Sequence, residues 1–94
     1  MKQNMDAKEK FILEAFGQRI TEIRISELQV SQEQMAINCG IHPQHLSLIV
    51  HGQKNISLIT LRRLAFGSHQ SVSQLCNFKL SLSENKYFDE GELF

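Results

Sequence analysis

The chain has 94 residues, 41% of them hydrophobic and 21% charged, with a single proline. That length suits one small domain, able to bury roughly 60–65% of its unfolded surface. No apolar run approaches the roughly 20 residues that span a bilayer, and the start, MKQNMDAKEK, lacks the apolar stretch of a secretory signal. The expected setting is therefore the cytoplasm, without membrane attachment. Net charge is zero, but the charges are segregated: no Asp or Glu occurs between Gln34 and Ser83, where Lys54, Arg62, Arg63, Lys79 and all four histidines lie. A neutral chain with a basic middle can still bind a polyanion locally.

The elements read as helices with short breaks. Asp6 followed by Glu9 makes a helix start, with acids favoured near the N-terminus. Leu13, Phe16, Ile20 and Ile23 then recur as one apolar face of a long first helix, while Phe11 and Ile12 widen the stripe and call for a partner surface. Gly17 inside this helix costs about 1 kcal/mol against Ala, so another backbone is expected close by.

Ser31 is a good N-cap for a second helix over Gln32 to Cys39, and Gln34 is placed to close a capping box. Met35, Ala36 and Cys39 face inward, and Gly40 supplies the left-handed turn that ends the helix. His42 caps a third helix, with Pro43 tolerated at its first position; it ends at His51-Gly52. Ser57 caps a fourth helix, with Leu58, Leu61, Leu64 and Ala65 inward. Ser71 caps a fifth, with Val72, Leu75 and Cys76 inward. Cys39 and Cys76 thus read as buried free thiols of a reducing compartment. The chain divides into an extension of the first helix (1–10), a helical domain (11–78) and a C-terminal tail (79–94).

On a helical wheel, Leu46, Ile49 and Val50 of the third helix fall together on the core side, with His42 beside them. Gln44, Ser47, Leu48 and His51 fall opposite, flanked by Pro43 and His45. This outward face carries hydrogen-bonding groups, one methyl-rich side chain and no acid. Such a face suits the major groove, where an α-helix fits, Gln pairs with adenine N6 and N7, and Leu48 can meet a thymine methyl. With the preceding short helix and glycine turn it forms a helix-turn-helix.

The stretch SQEQMAINCGIHPQHLSLIVHGQKNISLITLRRLA resembles the helix-turn-helix of the lambda-repressor-like (Xre, Cro/C1-type) transcriptional regulators, without gaps from Val30 to Cys76. FGQRITEIR resembles their first helix. The matching positions are Ser31-Gln32, Met35-Ala36, Gly40, Ile41, Leu46, Ile49, Gly52, Asn55 and Ser57. The resemblance implies an all-α, five-helix domain whose third helix reads double-stranded DNA, with dimers on palindromic operators. It further implies that Gln32 meets a phosphate, that Gln44, His45 and Ser47 face bases, and that Lys54 and Asn55 face the backbone. Departures from the family pattern are Pro43 (often Arg), Leu48 (often charged) and Val50, usually a Glu paired with an Arg of the first helix, here Arg24. One extra residue precedes the second helix, and Gly67-Ser68-His69 stands where relatives carry Ala-Leu-Gly.

Other chemistries fit less well. Cys39, His42, His45 and His51 include ligand types for a metal, but the wheel sends His51 away from His42, and Cys39 faces the core of another helix. No Gly-rich phosphate loop, carboxylate pair or Ser-His-acid arrangement points to an enzyme, and no cofactor is implied. The rival function is a protein-interaction adaptor, or an antitoxin-like helix-turn-helix that grips a toxin or another regulator. A homodimer is expected, joined through residues 1–10, the tail, or both. Leu80, Leu82, Tyr87, Phe88, Leu93 and Phe94 give that tail an unusual apolar content.

Overall fold

Asp6 closes both halves of a capping box: its carboxylate accepts the Glu9 N–H at 2.8 Å while its own N–H donates to the Glu9 side chain at 3.2 Å. From this cap runs α1 (Ala7–Ile23), the first helix of a computed structural model that describes residues 6–78. It is followed by α2 (Gln32–Cys39), α3 (Pro43–Val50), α4 (Leu58–Gly67) and α5 (Val72–Leu75). No strand occurs among the described residues. The expectations placed on 1–5 and on the tail lie outside those residues.

Every start read from the sequence carries its cap. Ser31, Ser57 and Ser71 each accept the backbone N–H three residues on, at 3.0, 3.0 and 3.1 Å. Ser71 and Gln74 complete a second capping box. Gln34 does not: its amide donates instead to Asn38 Oδ1, one turn along α2, at 2.9 Å.

Between α1 and α2 the chain does something the apolar periodicity does not announce. Arg24–Leu28 form a π-helical turn, closed by Gln29 in the left-handed region at φ 54°, ψ 45°. A π turn holds more residues than an α turn, which absorbs the extra residue ahead of α2. Arg24 turns its guanidinium onto the Val30 carbonyl at 3.0 Å. It thereby ties the π turn to the strand-like approach to Ser31.

Ile20, Ile23, Met35, Leu46, Leu64 and Leu75 are fully buried and join all five helices in one core. Gly17 shows why a glycine interrupts α1. A Cβ there would lie 2.3 Å from the Val50 carbonyl oxygen, so the α1 and α3 backbones meet with no room for a side chain. Three inward assignments are corrected. Leu58 is 76% exposed because the first turn of α4 projects past the core, and Val72 and Cys76 stand on the open side of the short α5. Ile12 finds a surface within the chain. It lines an apolar groove with Leu13, Phe16, Leu61 and Phe78, and the Phe16 and Phe78 rings meet edge to face at 6.2 Å.

Candidate nucleic-acid interface

The geometry of α3 follows from its two ends. At the start, Gly40 in the left-handed region (φ 68°) ends α2, and Ile41 is buried as the chain turns. His42 then caps α3 through Nδ1, which accepts the Gln44 N–H at 3.1 Å, and Pro43 occupies the first position, where no N–H is needed. At the finish, Gly52 adopts φ 67°. Its N–H donates to the Ile49 carbonyl and that of Gln53 to the Leu48 carbonyl, at 3.0 and 2.9 Å. This pair of bonds is a Schellman motif, and it folds the following loop back beside α3.

Leu46 and Ile49 anchor α3 in the core, and Val50 is half-buried. Pro43, Gln44, Leu48 and His51 are exposed, and His45 and Ser47 half-buried. His42, expected beside the core, is exposed instead, because its ring must stand outside the helix for Nδ1 to reach back to Gln44. His42, Gln44, His45, Leu48 and Lys54 line one open cleft of about 440 Å³. No carboxylate is among these lining residues, and the one permanent charge among them is the positive Lys54, despite the neutral chain.

The remaining predicted residues are placed elsewhere. Gln32 is half-buried at the first position of α2, where helix N–H groups lack partners. Asn55 is exposed and lines the apolar groove between α1 and α4 rather than the α3 cleft. His51 turns its Nδ1 onto the Ser47 carbonyl at 2.7 Å. The sequence does not reveal that bond, nor that Lys54 shares a cleft with Gln44; the signal for the latter is Gly52, whose left-handed turn returns the loop to the helix.

Cys39 is buried against α4, where its thiol donates to the Leu64 carbonyl at 3.8 Å. Among the described residues no three His, Cys, Asp or Glu side chains are grouped to hold a metal ion, and no helix is long and apolar enough to cross a membrane.

A helix-turn-helix family model matches residues 20–65, covering the last turn of α1 through most of α4. The crystal structure of the restriction-modification controller protein C.AhdI from Aeromonas hydrophila superposes with a TM-score of 0.64 at 32% identity, over 67% of this chain and 94% of that one. The chain belongs to the Cro/C1-type helix-turn-helix family. Its members are DNA-binding transcription regulators rather than enzymes. This helix-turn-helix chain is also 36% identical over 50 residues to control protein C.BamHI of Bacillus amyloliquefaciens, an alignment that spans 53% of the chain and 62% of that relative. Identity to control protein C.MunI of a Mycoplasma species is 28% over 60 residues, covering 64% of the chain and 81% of the relative.

Proposed function

We propose that this helix-turn-helix protein regulates transcription by laying α3 in the major groove of a specific duplex. Gln44, His45, Ser47, Leu48 and His51 face base edges, and His42 and Pro43 frame the entry of the helix. Gln32, Lys54 and Asn55 approach the phosphates. The observation that carries this reading is the exposed, acid-free face of α3, with Gln44 and Lys54 in one cleft. Gln44 is the principal reader, since its amide has the two-pronged geometry that adenine requires. The likeness to three proteins named as control or controller proteins supports a control role of the same kind, exercised in the cytoplasm.

Because one α3 spans only half of a two-fold operator, the reading includes a homodimer on a palindromic site. Leu58, Ile59, Phe66 and Val72 are exposed on α4 and α5, at 76, 60, 76 and 40%. They add a second apolar surface to the N-terminal extension and the chain after Phe78 as places for another copy to dock. Selection of bound sequences from a random duplex pool tests the whole reading. It predicts one enriched palindrome, whereas a pool that stays random refutes it.

A further inference from the structure

The two histidines that bracket α3 are hydrogen-bonded in opposite senses. His42 Nδ1 meets the Gln44 N–H at 3.1 Å. A backbone N–H can only donate, so Nδ1 must hold a lone pair and the neutral ring carries its hydrogen on Nε2. His51 Nδ1 meets the Ser47 carbonyl at 2.7 Å. A carbonyl can only accept, so here Nδ1 must carry the hydrogen.

Protonation therefore treats the two ends differently. A cationic His51 keeps its Nδ1–H bond to Ser47 and adds positive charge at a helix C-terminus, which the helix dipole favours. A cationic His42 has no lone pair left. It loses the Gln44 bond and places a positive charge at a helix N-terminus, where the dipole opposes it. The amide that loses its partner is that of Gln44, the residue in the best position to read a base.

We propose that His42 is a positioning residue for sequence reading, and that it works only as the neutral imidazole. Its cap holds the first turn of α3 and with it the direction of the Gln44 side chain; protonation opens that turn while the other end stays shut. The inference rests on the groove-reading role of α3 proposed above. The ionisable neighbours in the cleft are His45, on α3 itself, and Lys54, from the loop after it. On the far side, Glu14 of α1, in an ion pair with Lys10 at 3.8 Å, lies against Gly52 next to His51. No carboxylate lines the cleft that holds His42, so protonating its ring finds no acid there to compensate the lost cap.

The test compares the full-length wild type with His42→Asn, which keeps an N-cap acceptor but cannot be protonated there, at about pH 8 and about pH 5.5. The readout is the ratio of affinities for the selected duplex and a scrambled one. This ratio sets aside the general gain in DNA affinity that any added positive charge brings. Wild type should lose roughly three- to tenfold in discrimination on acidification, on the scale of one N-cap, beyond whatever His42→Asn loses. His45 and His51 are present in both proteins, so the difference belongs to His42. Equal loss in both proteins overturns the proposal.

Nitrogen-15 NMR of the free protein decides the structural half without DNA. At about pH 8 the His42 Nδ1 should resonate as an unprotonated nitrogen and the His51 Nδ1 as a protonated one, with the Gln44 amide shifting when the His42 ring gains a proton. A His42 ring carrying hydrogen on Nδ1 at that pH overturns the proposal even if the protein binds DNA. Failure to select any duplex refutes the DNA-reading role instead, and leaves the NMR result to stand or fall alone.

Discussion

Gly67 of α4 passes so close to Cys39 of α2 that a Cβ on Gly67 would lie 2.4 Å from the Cys39 sulfur and 2.7 Å from its Cα. The thiol could rotate away, but the Cα cannot. The glycine sits inside the helix, where it lets α2 and α4 touch. Gly67→Ala, which raises intrinsic helix propensity, should therefore destabilise the fold by about 1–3 kcal/mol through overpacking. Urea unfolding measures it, and a variant as stable as wild type would show that the α2–α4 contact has room for a methyl group.

His69 carries backbone strain of its own. It ends α4 at φ 57°, with its own N–H on the Phe66 carbonyl at 3.2 Å and that of Gln70 on the Ala65 carbonyl at 3.0 Å. This is the left-handed position of a Schellman motif, where a residue with a Cβ costs about 1–2 kcal/mol and glycine does not. His69→Gly should raise the urea midpoint by the equivalent of about 1 kcal/mol, with an unchanged m-value. A lowered midpoint would mean that the His69 side chain has a stabilising contact that outweighs the backbone strain.

These two residues also mark where the sequence stops being legible. Caps were readable because each is a local bond between a side chain and an N–H two or three residues on: Asp6, Ser31, His42, Ser57 and Ser71 all sit where expected. Gly17 was readable because a glycine in mid-helix needs a neighbour to explain it. The outward face of α3 followed from its wheel, since Leu46 and Ile49 leave one way to orient the helix. Leu58 misled because periodicity assigns a face but not how far the covering helices extend along it. The π turn escaped because its added residue shifts the period only over Arg24–Leu28. The opposed hydrogen bonds of His42 and His51 depend on ring orientation, which no spacing encodes.

The two thiols should behave differently. Burial pushes the Cys39 thiol above the usual thiol range, partly offset by the Ser68 hydroxyl, and partial burial raises Cys76 as well although that residue is exposed. In the folded protein an alkylating reagent should modify Cys76 and spare Cys39 until the chain unfolds. The raised Cys39 value means the folded state holds that proton more tightly than the unfolded one. Its contribution to stability is complete below the ordinary thiol range and is lost as pH rises from there through the raised folded value. Labelling followed by mass spectrometry checks this, and equal rates at both sites would contradict the packing of α2 on α4.

Full-length protein should scatter light as a dimer at tens of micromolar, alone or with operator DNA. Removing 1–10 and 79–94 distinguishes the interfaces: a monomer places the contact in those segments, while a persistent dimer places it on the exposed apolar residues of α4 and α5. A full-length monomer under both conditions contradicts the dimer.

Groove reading by Gln44 is tested most directly by sequence selection from random duplexes with wild type and Gln44→Ala side by side. Wild type should enrich one site. The variant should lose about 1–3 kcal/mol on that site, with relaxed preference at a single base pair and the others unchanged. A variant whose preference matches wild type at every position would contradict the claim that Gln44 on α3 reads the DNA.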